Sequence, residues 1–598
     1  MPTYKAPVDD VMFLLRDVLQ VERYNNLPGF AEASPDIVEA VLAEAAKFCE
    51  DVLTPLNRVG DKEGCRRHAD GSVTTPPGFK DAYRKLAAGG WIGASAPAEF
   101  GGQGLPTVLT QAIREFLYSS NMAFAMYSSL AMGAVAAIHS HGSAEQKARY
   151  LPKLISGEWA GTMNLTEPQC GTDLGQLRCR AAPQPDGSYK ITGTKIFISA
   201  GEHDLTDNII HLVLARIDGA PPGTKGISLF IVPKFLLNPD GAPGERNAVS
   251  CGSIEEKMGI HGNATCVMNY DGATGWLTGE EHRGLYAMFT MMNSARLSVG
   301  VQGLALSEVA YQNAVAYAKE RLSGRAPGGA KFPQQAADPI IVHADVRRML
   351  MTMRAFNEAA RALVLWTALK GDIARRSADA KEREAADDHM GLLTPVIKGV
   401  LTDQGFANTV AAQQIFGGHG YIAEHGVEQF VRDARITMIF EGTNGIQALD
   451  LVGRKLPKDG GRALQAFFAE VSGYIGERNA DATMVPYVKP LGQALGELHE
   501  ATLWFAQNAA GHPDNAGAGA SDYMQLFGLV ALGYMWCLIV DAAKAKTAAA
   551  ANGAAERMND KLVTARFFME RMLPATATHL ARLKAGADST MALAADAF

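Results

Sequence analysis

A single glutamate between an apolar run and a glycine turn is the residue best placed for chemistry. Ile436-Thr437-Met438-Ile439-Phe440 precedes Glu441, and Gly442-Thr443-Asn444-Gly445-Ile446-Gln447 follows it. Apolar neighbours disfavour the ionised carboxylate, which raises its pKa and makes it a stronger base once deprotonated. Glycine at 442 lets a ligand approach the backbone closely. The chemistry that fits is removal of a proton from a bound substrate. Taken alone, the turn better suits a glutamate that caps a helix from Asn444 to Val452, and the flanking blocks reverse that.

Two earlier blocks have the composition of a polar-ring site. Met163-Asn164-Leu165-Thr166-Glu167-Pro168-Gln169-Cys170-Gly171-Thr172-Asp173 offers hydroxyls and unpaired backbone donors to a ring or a phosphate. It also reads as an ordinary helix-to-strand connection. In Gly193-Thr194-Lys195-Ile196-Phe197-Ile198-Ser199-Ala200-Gly201, an aromatic and a hydroxyl lie two apart. On a regular strand they share a face, where one stacks on a ring and the other donates a hydrogen bond. An edge strand with routine alternation shows the same pattern. Gly418-His419-Gly420-Tyr421-Ile422-Ala423 satisfies a dinucleotide fingerprint, but it follows the helical run Asp403 to Phe416 rather than a strand, so it is not a Rossmann site. His139 and His141 lack the partners a metal requires, and no metal is expected.

The elements that must position these residues follow from periodicity. Ser34-Pro35 opens a helix with a capping residue and an N1 proline, and Val38, Val41, Leu42, Ala45, Cys49, Val52 and Leu53 form its apolar face. Helical texture continues through Phe79–Gly89, Leu109–Ser119 and Phe124–His139. From about Trp159 the pattern becomes β: Tyr189–Thr192, Lys195–Ser199, Ile210–Ile217 and Gly226–Pro233 read as strands, with Pro185-Asp186-Gly187 as a turn. Helices return near Leu285 and hold through Glu320, Asp345–Leu369 and Leu392–Phe416, and a further alanine-rich helical segment follows Lys455. Ala326–Pro339 and Gly511–Ala520, rich in glycine and proline, are expected to be surface loops. Asp541–Ala555 suits a helix broken at Asn552-Gly553. The order predicts an α+β fold divided into an extension (1–33), a helical domain (34–160), a small β domain (161–282), a second helical domain (283–457) and an extra helical domain (458–598).

Bulk properties exclude several classes. A net charge of −7 gives no reason to expect a nucleic acid or an anionic membrane as partner. The seven cysteines are scattered, with no Cys-x-x-Cys pair, which suits reduced thiols in a cytoplasm. Met1–Asp10 lacks the apolar core of a signal peptide. The apolar run Leu526–Val540 falls short of the roughly 20 residues that span a bilayer and reads as a buried helix.

Together the blocks around Glu441, Thr166 and Phe197 resemble the acyl-CoA dehydrogenase family over roughly Ser34 to Lys455. The resemblance implies bound FAD, with Leu165, Thr166, Thr172, Phe197 and Ser199 at the flavin ring. Phe197 stands where a tryptophan is usual, and Ser199 where a threonine is usual. Lys257-Met258-Gly259-Ile260-His261-Gly262 is similar to a signature of the family's β domain, with His261 replacing arginine. The resemblance further places Arg296 near the CoA part of the substrate and Arg321 at the FAD pyrophosphate. It has Gln414, Gly417 and Gly418 reach the dinucleotide across a subunit interface, and has Thr443 and Gln447 complete the flavin site. Thr172, Gly442 and His425 would also touch the substrate, though His425 equally suits a surface loop. Some relatives carry the base on the earlier helix, but no carboxylate occurs between Gly284 and Arg296, where Ala295 occupies that position. Glu441 is then the base.

The implied reaction is α,β-dehydrogenation of an acyl-CoA thioester to the trans-2-enoyl-CoA, with electron-transfer flavoprotein as acceptor. Chain length and the opening Met1-Pro2-Thr3-Tyr4-Lys5-Ala6-Pro7 resemble the family's long bacterial branch, which oxidises 3-(methylthio)propanoyl-CoA, an intermediate of dimethylsulfoniopropionate breakdown, or broader and longer fatty acyl-CoAs. The former is the expectation, with a homodimer as the assembly. An acyl-CoA oxidase would share the site. A DNA-binding relative would need a basic C-terminal domain, but residues 460–598 carry 11 Lys+Arg against 13 Asp+Glu, a net of −2.

Overall fold

Helices with an apolar stripe form at both ends of the chain, and β-branched runs form strands between them. The structure is a computed structural model that describes residues 2–549 and 552–598. Its internal contacts divide it into two units: residues 47–105 with 120–298, and residues 1–46 with 106–119 and 299–598.

The first of these holds the sheet, made of β1 (Trp159–Asn164), β2 (Arg180–Pro183), β3 (Tyr189–Ser199), β4 (Asn208–Ile217), β5 (Ile227–Pro233), β6 (Val249–Ile254) and β7 (Thr265–Leu277). Strand β4 pairs in parallel with β1 and β2 and antiparallel with β5. Both β5 and β3 pair antiparallel with β7, and β2 with β3, so β4–β2–β3–β7–β5–β4 closes on itself. Strand β6 adds to β7 outside the ring. Strands β4 and β5 are buried almost throughout, which is why they read as near-continuous apolar runs.

Three expectations change here. The two strands predicted at Tyr189–Thr192 and Lys195–Ser199 are one strand, β3. It is not an edge, since β2 and β7 flank it. The alternation expected to put Phe197 and Ser199 on one face is broken, because the β3–β7 register shifts between Cys266 and Met268 and Phe197 adopts φ +59. An extra residue in one strand creates such a bulge and re-aims the side chain beside it.

The other unit is helical. Its elements include α1 (Gly284–Glu320, of which residues 299–320 belong here), α2 (Ala344–Arg376), α3 (Ala380–Phe416), α4 (Asn444–Asp450), α5 (Arg462–Arg478), α6 (Val485–Asn508), α7 (Pro513–Ala549), α8 (Asn552–Phe567) and α9 (Ala575–Lys584). Helix α7 packs on α2, α3, α4, α6, α8 and α9, and α5 packs on α3 and α6. By length and composition α7 could cross a membrane, but 78% of its most apolar window is buried in the fold, as in a core helix. Trp536, fully buried on α7, donates its indole N–H to the Ala355 carbonyl of α2 at 3.0 Å.

Gly511–Ala520 is not the loop expected, because α7 begins at Pro513. Proline is favourable in a first helical turn, and Gly519 sits where a Cβ would lie 3.1 Å from Phe505 and 3.3 Å from Leu583, so close packing of the helix offsets its poor local propensity. The expected break at Asn552-Gly553 adjoins 550–551, which lie outside the described residues. Ala326–Pro339 is a loop, tied around Asp338. That buried carboxylate accepts N–H bonds from Ala326, Lys331 and Phe332 and faces Arg325, and these contacts, with Ala326 foremost, hold its pKa down at about 2 despite burial. The opening residues pack into this same unit: Val11, Leu14 and Leu15 are buried, and Asp10 pairs with Arg361 and Lys561.

Candidate active site

The flavin-site candidates of the β unit are held by one buried ion pair. Lys195, fully buried on β3, reaches Glu167 Oε1 at 2.8 Å and donates to the Leu165 carbonyl at 3.0 Å. Glu167 also accepts the backbone N–H groups of Arg178 (2.7 Å) and Cys179 (3.0 Å). Burial would raise its pKa, but Lys195 and these two donors lower it on balance. The Ile196 N–H bonds the Thr166 carbonyl at 2.9 Å, so Leu165 and Thr166 are fastened beside the Phe197 bulge. The block 163–173 therefore connects strand β1 to β2, where a helix-to-strand link was the alternative.

Phe197 is a 60% exposed aromatic with left-handed backbone, an arrangement that costs free energy and recurs where a ligand is clamped. Ser199 is half-buried and Thr172 exposed. Arg296 is only 7% exposed, so it is not a plain surface cation. His261 has both ring nitrogens engaged, Nδ1 by the Asp61 carbonyl at 2.9 Å and Nε2 by the Lys257 carbonyl at 2.7 Å.

In the helical unit the Glu441 turn is built from four devices. Glu441 has φ +58 and Gly442 φ +88, so a non-glycine residue is held left-handed at the turn. Thr443, not Glu441, caps α4, its hydroxyl accepting the Ile446 N–H. Gln447 is fully buried and donates to the carbonyls of Glu441 (3.3 Å) and Gly442 (3.2 Å). Asn444 donates to Asp403 Oδ1 at 2.6 Å and accepts from buried Lys398 at 2.7 Å, which ties the turn to α3. Glu441 itself is half-buried, and Ile439, in the apolar run before it, is 46% exposed, so the enclosed apolar setting expected for the carboxylate is not complete within this chain.

Gln414, Gly417 and Gly418 are exposed at the end of α3, beside exposed His425. Tyr317 of α1 stacks on Phe416 (4.2 Å between ring centroids), and its hydroxyl meets His419 Nδ1 at 2.8 Å. The end of α1, which exposed Arg321 directly follows, is thereby joined to this segment. The Gly418–Tyr421 turn follows helix α3, which leaves no strand for a dinucleotide fingerprint.

The sequence reading missed the roles of Lys195, Lys398, Asn444, Asp403 and Tyr317. A signal existed for Lys195: strand alternation puts it on the buried face with Ile191. The others rest on contacts between segments distant in sequence and leave no local pattern.

Family models match in chain order: acyl-CoA dehydrogenase N-terminal domain over residues 36–158, middle domain over 162–273 and C-terminal domain over 282–456, then an acetyl-CoA dehydrogenase C-terminal-like domain over 467–594. The chain belongs to the acyl-CoA dehydrogenase family. It is 42% identical to 3-methylmercaptopropionyl-CoA dehydrogenase of Ruegeria pomeroyi over 98% of this chain and 99% of that one. It is 33% identical to a broad-specificity linear acyl-CoA dehydrogenase of Mycobacterium tuberculosis over 96% of each. An acyl-CoA dehydrogenase of Bacillus anthracis, solved with FAD, shares the fold with a TM-score of 0.70 at 23% identity, over 85% of this chain and 82% of that one.

As an acyl-CoA dehydrogenase this protein is an FAD-dependent oxidoreductase that acts on the CH–CH bond of acyl-CoA thioesters. Its residues fit that cofactor. Phe197 presents an open aromatic face, and Gln447 has a buried Oε1 without a partner among the described residues, an atom whose desolvation calls for a donor.

Proposed function

We propose that the enzyme oxidises 3-(methylthio)propanoyl-CoA and acyl-CoAs of similar length, with Glu441 as the base. The observation that carries the substrate is the 42% identity to the Ruegeria enzyme along nearly the full length of both chains. Leu165, Thr166, Thr172, Phe197, Ser199, Arg321, Gln414, Gly417, Gly418, Thr443 and Gln447 would hold FAD, which supplies a two-electron acceptor for the β-hydride. Arg296, Thr172, Gly442 and His425 would bind the substrate.

Glu441 would take the α-proton onto its carboxylate, and its own backbone N–H would donate to the thioester oxygen, where negative charge develops. The left-handed turn and the Gln447 bonds to the Glu441 and Gly442 carbonyls hold the backbone that carries this residue before substrate arrives. Electron-transfer flavoprotein is the proposed acceptor. A homodimer is the proposed assembly; it would cover Val410, Ile439, Ile422 and the 82% exposed Tyr421 of the helical unit.

Anaerobic bleaching of the flavin with a panel of acyl-CoAs tests the substrate. A thioether is nearly isosteric with a methylene, so 3-(methylthio)propanoyl-CoA and straight chains of matching length should bleach it at comparable rates. A strong preference for lauroyl- or palmitoyl-CoA would overturn this and favour a long-chain enzyme. Rapid peroxide formation in air would instead reveal an oxidase.

A further inference from the structure

We propose that Gln525, in the helix α7 that follows the Glu441-bearing segment, is a positioning residue for the catalytic turn, acting through Asp403 and Asn444; this rests on the reading of Glu441 as the base. Gln525 donates its amide N–H to Asp403 Oδ2 at 2.7 Å. The other carboxylate oxygen, Oδ1, accepts from Asn444 Nδ2 at 2.6 Å. Asp403 is thus a bridge with one oxygen for each helix, and Asn444 stands three residues after Glu441. Asn444 has little freedom of its own: Nδ2 also lies 2.9 Å from Thr402 Oγ1 and 3.2 Å from the Gly399 carbonyl, and Oδ1 accepts from Lys398.

The surrounding packing explains why this chain of bonds transmits position rather than merely filling space. At Gly399 a Cβ would come within 2.3 Å of Met524 Cε, and at Gly528 within 2.5 Å of Val400 Cγ2. Met524 and Val400 therefore pack directly on the glycine backbone of the facing helix, within about a turn of the Gln525–Asp403 bond, and α7 also packs on α4. Asp403 feels burial, which raises its pKa, against Asn444, Lys398, Gln525 and Arg435, which lower it; the balance is upward. Removing the Gln525 donor leaves a half-buried carboxylate with fewer partners. It would then turn toward Lys398 or take up a proton, and either change alters how it holds Asn444. Asn444 begins α4, so a shift there moves the backbone of Thr443, Gly442 and Glu441. Misplacement of a reacting group by about 1 Å can cost on the order of a hundredfold in rate.

The test compares anaerobic flavin reduction by 3-(methylthio)propanoyl-CoA or butyryl-CoA in the intact holoenzyme and in Gln525→Met, which keeps volume but not the donor. Gln525→Asn, one methylene short, serves as a second variant should the first fail to fold. The expected result is a loss of about tenfold in reduction rate, with FAD content, substrate Kd and melting temperature near the parent. The acidic limb of the rate profile should move to higher pH as Asp403 protonates more readily. Gln525→Met combined with Asn444→Ala should lose no more than Asn444→Ala alone, because both lie on one chain of bonds. Unchanged rates in both Gln525 variants, or fully multiplicative losses in the double variant, would overturn the proposal. Glu441→Gln separates the two readings. If it still bleaches at the parent rate, the assignment of the base fails. If it is inactive while both Gln525 variants are normal, only the positioning role fails.

Discussion

Lys195→Met should loosen the flavin-site loop of the β unit far more than a single lysine on a strand would suggest. The substitution removes the ammonium while keeping an unbranched apolar stem, so Glu167 stays buried without its ionic partner. Breaking a buried ion pair by removing one member typically costs about 3–5 kcal/mol. Glu167 retains the N–H groups of Arg178 and Cys179 and the Gln169 amide at 2.6 Å, which argues for the lower end, about 3 kcal/mol. For a cooperative unit of this size, that corresponds to a fall in melting temperature of roughly 6–12 °C. The Leu165 carbonyl also loses its donor, so FAD should dissociate more readily. Differential scanning calorimetry and flavin release on warming would measure both effects. The diagnostic comparison is Lys195→Met with Glu167→Gln, which removes the unpaired charge and should melt above the single Lys195→Met variant. A single variant that melts within about 2 °C of the parent with full FAD content would refute the assigned role.

Three further outcomes follow from the same structure. Glu441→Gln should retain FAD and bind acyl-CoA yet lose flavin reduction by several orders of magnitude, read by anaerobic stopped-flow, because an amide cannot accept the α-proton. Burial would raise the pKa of Asp10, but Lys561 and Arg361 hold it at about 2 against an ordinary 3.8. A depressed carboxylate pKa adds stability that is complete above about pH 4 and is lost as pH falls through about 2. The contribution is about 2 kcal/mol, and Asp10→Asn should flatten that part of the acid-denaturation curve. Light scattering on the intact protein should report a dimer, and a tetramer would refute the proposed assembly; a chain stopped after Lys455 should aggregate, since it exposes the faces of α2 and α3 that α7 covers.

What the sequence determined by itself was whatever is local and periodic. Apolar residues at helical spacing placed the helices on either side of the β-rich segment, because side-chain direction repeats with a fixed period, and near-continuous apolar runs rich in Ile and Val marked strands β4 and β5. The turn Glu441-Gly442-Thr443 also stood out locally, since a carboxylate, a glycine and a capping hydroxyl adjoin one another in the chain. Contacts between distant segments decided the rest. Phe197 is re-aimed because β3 carries an extra residue where it pairs with β7, which strand alternation alone cannot show. Pro513–Ala520 is helical because Phe505 and Leu583 close on Gly519, overriding a composition that reads as loop. Lys195 and Glu167 lie 28 residues apart, and Gln525 and Asp403 lie 122 apart. A buried charge or amide finds its partner only when folding excludes water from both groups, and no residue's neighbours in the chain encode which distant group that will be.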